Sequence, residues 1–147
     1  MARSLEAILA EYAESHRHPT NIQIHNICVP LIMWSLLGIL QSIPLVMGIN
    51  LAHVLVVVGI IYYIGFGNMK LTLMMSGIVI VMYASLSFIP FLLPVSVAVF
   101  VLSWLGQFYG HKVEGKKPSF FKDLQFLLVG PIWVLSKMNP TLFGVSK

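Results

Sequence analysis

Leu71–Leu92 reads LTLMMSGIVIVMYASLSFIPFL, a run without a single charge. A helix that crosses the hydrocarbon core of a bilayer needs roughly 20 mostly apolar residues, and this run supplies them. The same character extends in both directions. Between Asn26 and Gly110 the only Lys, Arg, Asp or Glu is Lys70, which leaves room for about four spans. Over the whole chain of 147 residues, 58% are hydrophobic and 10% charged, against about 25% charged in an ordinary soluble domain. A soluble domain is excluded. The expected fold class is all-α: an integral membrane bundle of about four transmembrane helices, at about Ile27–Met47, Leu51–Phe66, Leu71–Leu92 and Val95–Tyr109.

The flanks complete a single membrane-embedded domain over 1–147. Leu5, Ile8, Leu9 and Tyr12 recur at helical spacing with Glu6, Glu11 and Glu14 on other faces. That pattern predicts an amphipathic helix at the membrane interface. The helix ends before Pro19, which disfavours the α conformation of His18, so residues 1–18 are read as interfacial helix and turn. Beyond the spans, 111–147 form a cytoplasmic or interfacial segment. Its apolar part, LQFLLVGPIWVLSKM, is too short to cross comfortably and contains Pro131. It is expected to be re-entrant, interfacial or packed on the bundle.

Charge sets the topology. With four spans, all nine Lys and Arg fall on one face, which the positive-inside rule makes cytoplasmic. Both termini are then cytoplasmic, in a bacterial inner membrane or an endoplasmic reticulum. The basic excess has its explanation in orientation, not in nucleic acid. The acidic start and the missing apolar core after Met1 argue against a cleaved signal peptide, and the lone Cys28 excludes an internal disulfide.

The polar residues gather at one level of this topology. ESHRHPTNIQIH, Glu14–His25, places three of the five histidines just before the first span, and His111 lies where the fourth returns. His53 falls at the opposite face. Gln107, His111 and Glu114 share one face if the fourth helix runs through Glu114, and Asn21 and His25 share one if helix has begun there. Imidazoles with a carboxylate suit a first-row divalent metal. The expected metal ligands and catalytic residues are His16, His25 and His111, with Glu114 as ligand or acid/base and His18 as a weaker candidate. Asn21 and Gln107 stand behind them, orienting the rings. Arg17, Lys112, Lys116 and Lys117 are candidates for a substrate carboxylate, although the lysines are also topology signals. Gly106 and Gly110 are read as a close-packing pair.

Two spaced motifs carry a resemblance. Tyr12, His16, Pro19, Asn21, His25 and Pro30 form the first; Gln107 to His111, Glu114 and Pro118 form the second. In this order, flanking about four spans, they resemble the small membrane dioxygenases of 2-hydroxy fatty acids, the family named for metabolism of phytosphingosine to odd-numbered fatty acids. The resemblance implies an oxidoreductase of fatty acid α-oxidation. It would use Fe(II) and molecular oxygen, without haem, to turn a long-chain 2-hydroxy fatty acid into a fatty acid one carbon shorter. His16, His25 and His111 would be the iron ligands. Three positions depart from the family pattern: His18 stands at an asparagine position, Glu114 is one residue nearer His111, and Lys137 stands about where the family has an acid.

Two other readings share these residues. A zinc-dependent membrane lipid hydrolase would use the same ligands without oxygen. A non-enzymatic metal or proton sensor or transporter would place polar groups at mid-membrane, where Gln41 is the only strongly polar residue. Cysteine labels at position 2 and near the C-terminus should react with an impermeant reagent from the same side of the membrane. Reaction from opposite sides would break the even span count.

Overall fold

The computed structural model describes residues 4–14, 16–116, 126–139 and 142. Lys117, Pro118 and most of the segment leading to Gly130 lie outside the described residues. Among those described, the secondary structure is six helices: α1 Leu5–Glu14, α2 Pro19–Gln41, α3 Leu51–Ile64, α4 Met69–Leu86, α5 Leu92–Glu114 and α6 Gly130–Met138. The all-helical class expected from the sequence is what forms. The chain divides into two compact units, Met1–Pro30 with Leu102–Lys147, and Leu31–Val101.

Each boundary has a local cause. Ser4 caps α1, its hydroxyl accepting from Ala7 N at 3.2 Å. Pro19 opens α2, where its fixed φ suits the first turn and its missing N–H is no loss. Consequently α2 starts well before the expected Ile27, and Asn21 and His25 are already helical. It ends at Gln41, not Met47, because Pro44 and the positive-φ pair Met47 and Gly48 form the following turn. Similarly, α4 stops at Leu86 and the Ser87–Phe91 turn replaces the expected end of the third span. Asn50 and His53 close a reciprocal cap on α3. Asn50 Oδ1 accepts from His53 N at 3.3 Å, and His53 Nδ1 accepts from Asn50 N at 3.1 Å. Tyr83 adds its hydroxyl, 3.1 Å from His53 Nε2. That gives His53 a structural role.

Helix α5 runs through Glu114 and then stops on Gly115, whose φ of +77° only glycine adopts without cost. Gly115 N donates to Lys112 O at 3.2 Å and Lys116 N to His111 O at 3.1 Å, the paired bonds of a Schellman ending. Pro131 begins α6 rather than interrupting it.

In the first unit, α1 turns Ile8, Leu9 and Tyr12 inward, where Tyr12 meets Trp133 of α6 with ring centroids 5.2 Å apart. The apolar face of α1 is therefore occupied by protein. Gly130 admits this packing, since a Cβ there would lie 2.7 Å from Val29 Cγ1 of α2. Helix α6 accordingly adopts the packed alternative expected for the C-terminal segment.

In the second unit, Leu37, Ala52, Tyr63, Leu71, Met75 and Leu86 form the interior. Trp34 Nε1 donates to Ser85 Oγ at 2.9 Å, and Thr72 Oγ1 to Tyr63 O at 3.0 Å, so these polar groups are satisfied internally. Outward, Val57, Ile61, Ile80 and Val81 are exposed, a surface suited to lipid and not to water. Among the described residues, three helices, α2, α4 and α5, are long and apolar enough to cross a membrane. The fourth, α3, has 14 residues and measures about 21 Å at 1.5 Å per residue, short of the ~30 Å hydrocarbon core.

At Gly38, α2 touches α5. A Cβ there would overlap Ser96 Oγ and lie 3.1 Å from Leu86 Cδ2. Gly38→Ala should destabilise the protein by ~1–3 kcal/mol through overpacking, seen as a lower thermal midpoint in detergent. Adding Ser96→Gly should recover most of the loss; no recovery would mean the contact is not where the strain arises.

Candidate metal centre

Three segments of the first unit deliver one imidazole each. His16 sits in the turn after α1, His25 one helical turn into α2 beyond Asn21, and His111 on the last turn of α5. They are buried, at 4%, 1% and 3% exposure respectively. Their ring centroids lie 4.1 Å apart for His16 and His25, 5.1 Å for His25 and His111, and 5.6 Å for His16 and His111. One nitrogen from each falls within 4.8 Å of the other two.

Two of the rings are held by main-chain carbonyls. His16 Nδ1 is 2.6 Å from Tyr12 O, and His25 Nδ1 is 3.0 Å from Asn21 O. A carbonyl oxygen only accepts, so each Nδ1 carries the proton and each Nε2 keeps its lone pair. This is the arrangement by which ligating histidines are usually oriented. The Tyr12 ring stacks on His16 at 4.2 Å with planes 9° apart, and Trp133 stands 5.2 Å away on another side. His16 is thus braced although it lies outside any helix.

The helices carrying the other two rings approach closely. A Cβ on Gly106 would sit 2.7 Å from Cys28 Sγ, and one on Gly110 would overlap Asn21 Oδ1. The close-packing role read for these glycines is what they perform.

Glu114 lies on the same face of α5 as His111 and takes a different set of contacts. Its carboxylate accepts from His18 N at 2.8 Å, from Arg17 N at 3.0 and 3.2 Å, and from Asn21 Nδ2 at 3.1 Å. The cluster of donor side chains near one another comprises the three histidines. Asn21, fully buried, reaches His25 through its main-chain carbonyl, while its amide nitrogen goes to Glu114. Gln107 is buried one turn before His111, and its Oε1 has no hydrogen-bond partner among the described residues.

The remaining candidates are peripheral. His18 is exposed, its Nδ1 accepting from Thr20 N at 3.2 Å as a cap on α2. Arg17 and Lys112 are exposed, and Lys116 Nζ donates to Glu14 O at 2.7 Å. Lys117 lies outside the described residues. Lys137 places its ammonium 5.4 Å from the Trp133 ring centroid. Sequence reasoning assigned no role to Trp133; an aromatic inside an apolar segment gives no spacing signal. Tyr12 was legible as part of the apolar stripe of α1, but the part its carbonyl plays was not.

Three neutral imidazole nitrogens fit a divalent first-row metal by donor type. Three bonds of about 2.1 Å to one ion at tetrahedral angles hold their nitrogens about 3.4 Å apart, so nitrogens that already lie within 4.8 Å of one another are near the spacing a single ion would set. The buried Gln107 oxygen is a further sign that the site is built for a ligand, since an unsatisfied buried acceptor costs about 1–3 kcal/mol.

A family model described as 2-hydroxy-palmitic acid dioxygenase Mpo1-like matches residues 2–142. Among curated proteins, the chain is 28% identical over 140 residues to the 2-hydroxy-palmitic acid dioxygenase MPO1 of Saccharomyces cerevisiae, covering 89% of this chain and 77% of the yeast protein. No solved structure matches it significantly. With nearly its whole length matched, and a buried histidine cluster between its terminal segments, the chain belongs to the Mpo1-like family.

Proposed function

We propose that this protein is an iron(II)-dependent dioxygenase that α-oxidises long-chain 2-hydroxy fatty acids, giving fatty acids one carbon shorter. The observation that carries the reading is the buried triad of His16, His25 and His111, two of whose rings already present Nε2 lone pairs. The name of the yeast relative supplies the substrate class. Iron(II), when bound, supplies the redox centre and a template for oxygen and substrate.

The chain's own residues do the rest. His16, His25 and His111 hold the metal by neutral nitrogen. Gln107 Oε1, buried on the helix face of His111, accepts the hydrogen bond of the substrate's 2-hydroxyl. Arg17, exposed beside His16, steers the carboxylate towards the site, with Lys112 as its alternative. The burial of the triad excludes bulk water from the reacting atoms. The lipid surrounding the apolar helices stores the substrate, whose tail stays in hydrocarbon while its head meets the imidazoles. Both termini and the site belong to the cytoplasmic side in this reading.

The second reading, a zinc-dependent lipid hydrolase, is favoured by the same donor set, because imidazole binds zinc as readily as iron. One experiment separates them. Protein purified without added metal or a His-tag is analysed for metal, loaded anaerobically with iron(II), and given 2-hydroxypalmitate and oxygen. Oxygen uptake with a C15 acid as product is expected. His111→Ala should lower turnover by more than about 100-fold, beyond the 10–100-fold typical of outer partners, and should abolish metal binding while leaving membrane insertion intact. Tightly bound zinc with no oxygen uptake would favour the hydrolase. An active His111→Ala protein with full metal occupancy would remove the triad from the mechanism.

A further inference from the structure

Glu114 sits where a carboxylate is least welcome on its own helix. It is the last residue of α5, and a helix C-terminus carries about half a negative charge, which disfavours an anion. Helix α5 otherwise meets that end with His111 and Lys112 in its last turn. The same carboxylate is, however, well placed for α2. It lies at that helix's N-terminus, accepting from the main-chain N–H groups of Arg17 and His18 just ahead of Pro19. Main-chain donors to a carboxylate make charge-assisted bonds, roughly twice as strong as neutral ones.

The partners of Glu114 map onto the three histidines. Arg17 N belongs to the peptide that leaves His16, so its bond fixes the turn that carries that ligand. Asn21 Nδ2, 3.1 Å from Glu114, belongs to the residue whose carbonyl orients His25. Glu114 itself follows His111 by three residues on one helix face. One carboxylate therefore ties together every segment that bears a ring. Both of its oxygens are engaged by these donors: Oε1 by Arg17 N, and Oε2 by Arg17 N, His18 N and Asn21 Nδ2.

We propose that Glu114 is a positioning residue and not a metal ligand: it clasps the His16 turn and the start of α2 to the end of α5, and so sets the triad's spacing before metal arrives. The proposal rests on the triad holding a metal. It assigns the acid in the second motif to preorganisation, with the metal's coordination left to the imidazoles and the substrate.

Three variants test it: Glu114→Gln, Glu114→Asp and Glu114→Ala, with cobalt(II) as the spectroscopic probe of the site. The amide keeps one acceptor and loses the charge; the aspartate keeps the charge on a shorter stem. Glu114→Gln should weaken cobalt affinity by about 10–100-fold, the usual effect of losing an outer partner, while the visible spectrum of the loaded site stays that of the unmodified protein. Glu114→Asp should fall between the two in affinity. In metal-free protein, hydrogen exchange at the amides of Arg17 and His18 should be protected in the parent and faster in Glu114→Gln and Glu114→Ala.

A changed cobalt spectrum in Glu114→Gln, with the pattern of a lost oxygen ligand, would overturn the proposal by making Glu114 a ligand. Unchanged cobalt affinity together with lost amide protection would overturn it differently, by showing a clasp that does not serve the metal. A parent protein that binds no cobalt would sink the metal reading and this inference together, whereas the two previous outcomes leave the metal reading standing.

Discussion

Inside hydrocarbon no water is present to satisfy a peptide group, so every backbone N–H and C=O must find its partner within the chain. The rest of this structure depends on that constraint. It forces the tract between Asn26 and Gly110, whose one charged residue is Lys70, into helices and makes each helix end a place where polar atoms have to be supplied. Asn50, His53 and Tyr83 do this at the start of α3, and Asn68 does it for α4, where its side chain accepts from Leu71 N at 3.0 Å. At the end of α5 the Schellman bonds around Gly115 serve the same need.

The histidine cluster is an elaboration of the same device. Imidazole Nδ1–H groups donate to the carbonyls of Tyr12 and Asn21, each four residues earlier in the chain. Those bonds satisfy the ring and turn its other nitrogen towards its neighbours. Chemistry thus gathers where helices begin and end because those are the positions at which polar side chains are tolerated. A carboxylate that would be costly at mid-span is stabilising at the head of α2.

Much of this was legible in the chain itself. Hydropathy gave the all-helical class, and the span topology brought His16, His25 and His111 to one level, because helix-forming runs and their ends are local properties. What was not legible depended on partners distant in sequence. The face of α1 looked fit for a membrane surface, since a periodic stripe of Ile8, Leu9 and Tyr12 carries no mark of what covers it; α6 does. The start of α2 was placed late, at Ile27, because the polar Asn21 and His25 precede the apolar run; one amide pairs with Glu114 and one ring with a carbonyl. Helix α3 was read as a short span at Leu51–Phe66, and its 14 residues are fewer than the 16 of that reading.

Of the three imidazoles, two stand on helices and one does not. Side chains on helices hold their positions more tightly than those on turns, so the precision of the triad is limited by His16. The structure concentrates its supports there. Tyr12 provides both a stacked ring and a carbonyl, Trp133 closes another side, and the peptide following His16 is held by Glu114. This explains why α1 and α6, neither of which contributes a ring to the cluster, are packed on each other through Tyr12 and Trp133. They are the wall against which the one imidazole outside a helix is set.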